Sequence, residues 1–124
     1  MLSLPPSVRI FLCTPPTDMR KSFDTLAALV RDAIHGDPLS GHLFVFRNKL
    51  GDRLKLLFWD TDGYVIYYKR LEEGSFQFPA AAGKGDHGIE IRAADLAMLL
   101  DGVDLASVQR RKRYRKPAAI TVSA

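Results

Sequence analysis

Apolar positions recur at two different periods along the chain, and each period assigns its own elements. From Met19 to about His35, Phe23, Leu26, Ala27, Val30, Ala33 and Ile34 return at steps of three and four. Arg20, Lys21, Asp24, Arg31 and Asp32 fall largely outside that stripe, so the segment predicts one long amphipathic helix, 19–35. Thr17 or Asp18 is placed to cap its start. Gly36 is placed for the left-handed residue after its end, and Asp37-Pro38 prevents continuation. Arg20 and Lys21 would then sit in the first turn, where the helix dipole disfavours cations, which favours a binding role for them.

Elsewhere the pattern is that of strands. HLFVFR, RLKLLFWD and YVIYYKR are β-rich runs joined by NKLGD and TDG, connections too short for a parallel crossover. They predict an antiparallel meander. Leu54, Leu56 and Phe58 share one face of the middle strand, with Lys55, Leu57 and Trp59 on the other. The long helix covers one face, and the second face needs another cover. Strands are expected near 8–12, 42–47, 54–59, 64–69 and 76–78, a strand-like IEIR after residue 88, and a short final helix over 93–100. The expected core is Phe23, Leu26, Val30, Ile34, Phe44, Phe46, Leu56, Phe58, Val65 and Tyr67, with Trp59 also placed inward. The fold class is α+β, a single compact domain over 1–105 followed by a basic, flexible tail, 106–124.

Composition fits this picture. The 124 residues include one cysteine, Cys13, so no intramolecular disulfide framework exists. No apolar run nears the ~20 residues of a membrane span, and the N-terminus lacks a secretion-signal pattern. A cytoplasmic protein without membrane contact is the expectation.

Charge changes the picture more. Residues 1–105 carry 12 Lys/Arg against 14 Asp/Glu, a formal −2, whereas 106–124 carry six Lys/Arg and no acid, a formal +6. Those six are Arg110, Arg111, Lys112, Arg113, Arg115 and Lys116, and phosphate is the usual counterpart of so dense a cluster. A second group lies on the meander. Arg47, Lys49, Arg53 and Lys55 surround the first hairpin turn, opposed by Asp52, and Lys69 and Arg70 return toward it. Trp59, Tyr64, Tyr67 and Tyr68 supply rings able to stack on unpaired bases. With Arg20 and Lys21, these cations form the candidate nucleic-acid contacts. The tail is expected to supply raw affinity and the hairpin to supply positioning.

Other motifs lack the context their chemistry needs. Gly83-Lys84-Gly85-Asp86-His87-Gly88 spells a dinucleotide fingerprint, but a strand-like segment follows it where a helix is required. Asp60-Thr61-Asp62-Gly63 reads as a tight turn and lacks the later ligands of a calcium loop. His35, His42, His87 and Cys13 make no metal signature. A metal-dependent nuclease would need Asp60, Asp62, Glu72 and Glu73 to converge. The residues thus leave three functions open: a DNA-binding protein, a protein–protein adapter without DNA contact, and a nuclease centred on Asp60 and Asp62.

The run from Asp18 to Asp24 (DMRKSFD), Leu26, Asp37 to Asn48 (DPLSGHLFVFRN), Gly51 to Leu57 (GDRLKLL), Trp59-Asp60, and Tyr68 to Glu72 with Gly74 resembles one known family. It is the small accessory protein, Orf2 or TnpB, of IS66-type bacterial insertion sequences, distinct from the RNA-guided nuclease that shares the second label. The resemblance covers roughly 8–102. It implies an accessory role in transposition with no catalytic residues carried over, and as partners a DDE-type transposase and a second small accessory protein of the same element. DNA is the partner the cation clusters imply, and a non-enzymatic protein without a cofactor is the expectation. Thr25 and Phe78 depart from the family pattern, which more often has a small residue and a tryptophan there.

Overall fold

In the computed structural model, residues 5–78 and 88–101 are described. The elements are β1 (Ile10–Cys13), α1 (Phe23–Leu29) continued by a π-helical turn (Val30–Ile34), β2 (Leu43–Arg47), β3 (Arg53–Asp60), β4 (Gly63–Arg70), β5 (Gly88–Ile91) and α2 (Ala93–Leu100). One five-stranded sheet runs in the order β4-β3-β2-β1-β5. The α+β class and the β2-β3-β4 meander stand as expected, with Phe44 opposite Leu57 and Leu56 opposite Tyr67.

β1 departs from a purely antiparallel sheet. It lies parallel to β2, Ile10 opposite Leu43, because α1 occupies the connection and a helix-containing link permits a crossover. β5 then adds antiparallel to the far side of β1, so IEIR joins the sheet as an edge. Residues 76–78 do not. Phe76 is buried, and its N–H donates to the Gly51 carbonyl at 2.7 Å. It serves as a plug under the hairpin turn rather than as a ladder partner.

The two faces have separate cores. On one, Leu26 and Ala27 of α1 and Val30 of the π-helical turn meet Phe44, Phe46, Leu57 and Cys13. On the other, Leu96, Leu99 and Leu100 of α2 cover Leu12, Leu43, Val45, Leu54, Leu56 and Phe76. The split of β3 into Leu54/Leu56/Phe58 and Lys55/Leu57 faces is as the period of two requires, and α2 is the second cover. Two expected core residues stand outside it: Phe23 is 45% exposed and Val65 37%. Phe23 begins its helix and Val65 lies on an edge strand, so each has neighbours on one side only. Trp59 is half-buried, edge-on to Tyr64 with ring centroids 5.1 Å apart.

The helix starts later than its periodicity suggests. Asp18 accepts from the Arg20 N–H through its carboxylate (2.9 Å) and from the Lys21 N–H through its carbonyl (3.1 Å), which closes a turn before the helix. Ser22, extended, is the N-cap, and its N–H donates to Thr25 Oγ1 at 2.8 Å. Thr25, a departure from the family pattern, is therefore a capping residue. Arg20 and Lys21 precede the helix, so the expected dipole cost is absent. At the other end His35, not Gly36, takes the left-handed position (φ 61°), because the π-helical turn brings its N–H to the Val30 carbonyl. Gly36 is small for a different reason: a Cβ there would sit 3.2 Å from Phe44.

Burial pushes the Cys13 thiol above its ordinary pKa, against a smaller opposing hydrogen bond from Thr17. The thiolate, the reactive species, is disfavoured in the fold. Alkylation of Cys13 by iodoacetamide at mildly alkaline pH should be at least about tenfold slower in the native chain than in urea. Equal rates would show that this core is open.

Candidate nucleic-acid interface

The site is built from two loops held against the sheet by backbone bonds. The first, 14–22, is pinned at Thr17, whose N–H donates to the Arg47 carbonyl at 2.8 Å. Further along, Lys55 reaches up from β3 and donates its ammonium to the carbonyls of Met19 (2.8 Å) and Lys21 (2.7 Å). The second loop is the β2–β3 turn. Asn48 accepts from the Arg53 N–H through its side-chain oxygen (3.0 Å) and donates to Asp52 (2.7 Å). Gly51 sits at φ +79°, open to glycine and strained for other residues. The segment after β4 clamps this turn through Leu71 N–H to Asp52 O and Phe76 N–H to Gly51 O.

Between the loops lies a cleft of about 570 Å³ lined by Asp18, Arg20, Lys49, Asp52, Arg53 and Tyr68, among others. A smaller pocket of about 210 Å³ adjoins it over Arg53, Tyr68 and Arg70. Arg53 and Arg70 are directly opposite in the β3–β4 register, an arrangement that costs energy unless an anion sits between them. The Arg53 guanidinium donates to the Tyr68 hydroxyl at 3.2 Å. Arg70 forks onto Glu72 and Arg20 onto Asp18, both in exposed pairs. The Arg20 hydrogen bonds hold the Asp18 carboxyl down at about 2, so it stays ionised. Asp18 thus joins Asp52 as a counter-charge, and the site is less cationic than the hairpin sequence suggests.

Not every expected cation is available. Lys55 is 8% exposed, lies over the Tyr68 ring at 4.7 Å, and spends its charge on carbonyls. Lys69 donates to the Leu100 carbonyl at 2.8 Å, closing the end of α2. Arg47 donates to the Phe76 carbonyl at 3.2 Å and stacks on Phe78 at 4.1 Å, with burial lowering its pKa. Lys21 supplies a carbonyl to the Lys55 anchor and does not line the cleft. Lys55, Lys69 and Arg47 are therefore structural in position and Lys21 stands apart from the cleft, leaving Arg20, Lys49, Arg53 and Arg70 around it. Of the four rings, only Tyr68 lines it, and it is 48% exposed. Asn48, which sequence reasoning passed over, organises the turn; the asparagine-to-aspartate spacing around a glycine was the available signal. The tail cations Arg110, Arg111, Lys112, Arg113, Arg115 and Lys116, the 83–87 part of the glycine loop and the 105/106 boundary lie outside the described residues.

The carboxylates offered for metal chemistry do not converge. Asp60 ends β3 and Asp62 lies in the turn before β4, whereas Glu72 and Glu73 follow the far end of β4, roughly 25 Å away at ~3.4 Å per residue. Among the described residues no cluster of three His, Cys, Asp or Glu is arranged to hold a metal ion. No helix among them is long and apolar enough to cross a membrane.

Comparison with known proteins agrees with this frame. Uncharacterized protein y4hO of Sinorhizobium fredii is 39% identical over 116 residues, covering 94% of this chain and 98% of its own. Uncharacterized protein y4jC of the same organism is 35% identical over 113 residues, covering 91% and 93%. No solved structure matches. The model of the IS66 Orf2 like protein family matches residues 8–110, and the chain belongs to that family, the accessory proteins of IS66-type insertion-sequence transposition.

Proposed function

We propose that the chain serves transposition by holding DNA through its phosphates, with the Arg20–Lys49–Arg53–Arg70 cleft as the ordered contact and the 110–116 tail as the source of long-range attraction. The observation that carries this reading is the convergence of cations from three separate segments on one cleft, with Arg53 and Arg70 set opposite each other. Electrostatic repulsion of that kind is relieved by a bound anion, and a polyanion relieves it at several points together. Tyr68 offers the cleft an aromatic surface for a sugar or an unpaired base. The DDE-type transposase and the second small protein of the element are the partners this reading assigns.

The test is a salt titration of duplex binding by the full-length chain. Arg20→Ala, Lys49→Ala and Arg53→Ala combined should lower the slope of log affinity against log salt by about 2–3, at roughly 0.9 per phosphate. Neutralising the six tail cations to glutamine should lower raw affinity more and leave a weak, saltable residue due to the cleft. A full-length chain that binds no DNA at low salt, alone or with its transposase, overturns the reading and leaves the adapter role in its place. A triple variant with an unchanged slope removes the cleft from it.

A further inference from the structure

The outer edge of β4 takes no part in the cleft's backbone anchoring, and it is open. β4 is the terminal strand of the sheet, eight residues long, and pairs with β3 without a break from Gly63 to Arg70. The hairpin loop has two residues, so Asp60 and Gly63 form a hydrogen-bonded pair. By alternation Gly63, Val65, Tyr67 and Lys69 direct their backbone groups to β3. Tyr64, Ile66, Tyr68 and Arg70 direct theirs outward. Among the described residues none of these four outward groups has a backbone partner. Edge strands are usually blunted by proline, a bulge, shortness or a free lysine. β4 has no proline and no bulge, and its lysine is committed to the Leu100 carbonyl. Val65 and Tyr68 on this strand are also among the large apolar side chains left exposed.

We infer that this edge pairs with the same edge of a second copy, antiparallel, about a two-fold axis through Ile66 perpendicular to the sheet. The greatest overlap of the Gly63–Arg70 strand with itself puts the axis through Ile66 or through Tyr67, and charge chooses between them. Centred on Ile66, the pairing sets Asp62 of each copy beside Arg70 of the other. Centred on Tyr67, it sets Asp62 beside Glu72, a like-charge pair. The Ile66 register also opposes Ile66 to Ile66, Tyr64 to Tyr68 and Val65 to Tyr67, the β-branched and aromatic pairs that stabilise sheets. Arg70 gives up little in exchange, since its bridge to Glu72 is exposed on both sides (57% and 79%). Such a two-fold keeps α1 of both copies on one face, so the two clefts share one surface of a continuous sheet. The pairing stands on the edge geometry and not on the DNA reading.

Sedimentation equilibrium of the full-length chain tests it. A monomer–dimer equilibrium is expected. Ile66→Pro deletes an outward N–H, costs no bond to β3, and should weaken association roughly a hundredfold by removing the central hydrogen-bonded pair. Its circular dichroism should match that of the parent. Because a proline variant can misfold, a charge exchange on two exposed residues provides the second arm. Asp62→Arg and Arg70→Asp should each weaken the dimer, and an equimolar mixture of the two should restore it as a heterodimer. A chain that is monomeric at every concentration overturns the inference, as does a dimer indifferent to all three substitutions. A mixture that fails to restore association overturns the register.

Discussion

Lys55→Met should destabilise the folded chain by about 2–4 kcal/mol, although it swaps one long side chain for another of similar length. Lys55 is 8% exposed, and its ammonium donates to two carbonyls, those of Met19 and Lys21, while resting over the Tyr68 ring. Charged hydrogen bonds of this kind are worth about 1.5–3 kcal/mol each, and the ring contact adds to them. Relief of a desolvated charge offsets part of the sum, which keeps the expectation below full additivity. Methionine fills the space and leaves both carbonyls without that donor. Urea unfolding should show a lower midpoint with an unchanged slope. The same variant should weaken DNA binding, because the released 18–21 turn carries Arg20 away from Lys49 and Arg53. A midpoint shift worth less than about 0.5 kcal/mol would mean that Lys55 is an ordinary surface lysine.

Phe76→Ala should cost about 3–5 kcal/mol, the range for removing a buried phenylalanine. The side chain is 1% exposed and packs with Leu54, Leu56 and the α2 leucines. Its backbone is tied as well, by its N–H to Gly51 and by its carbonyl accepting from Arg47. The loss should therefore reach the hairpin turn. Phe76→Leu, which keeps most of the volume, should cost less than about 1.5 kcal/mol. If alanine and leucine behave alike, the plug under the turn does not exist and 75–78 is a peripheral strap.

The sequence was most legible where structure follows from near neighbours. Alternation at period two assigned β3 its two faces, and the short TDG connection committed β3 and β4 to a hairpin. Steps of three and four residues placed Leu26, Ala27 and Val30 on the buried side of α1 and its π-helical continuation. These features depend on geometry within a few residues, so the pattern of side chains is enough to read them. The helix start was less legible, since Asp18 and Ser22 are both good capping residues. Only the local turn through the Asp18 carboxylate decided for Ser22.

The candidate site followed a different rule. By composition alone Arg47, Lys55 and Lys69 are equal to Lys49 and Arg53 as phosphate contacts. Their fates were set by partners 29, 36 and 31 residues away: the carbonyls of Phe76, Met19 and Leu100. A cation's function depends on whether a distant backbone acceptor reaches it before solvent or a ligand does, and charge spacing does not encode that. The parallel seating of β1 beside β2, and the choice of α2 as the second cover, are likewise decisions of long-range packing. By itself the sequence determined most of the elements, their apolar faces and the family, though not the buried plug at 76–78 that it marked as a strand. The tertiary structure alone decided which charges remain free to act, because burial and hydrogen bonding are settled by contacts that no local period records.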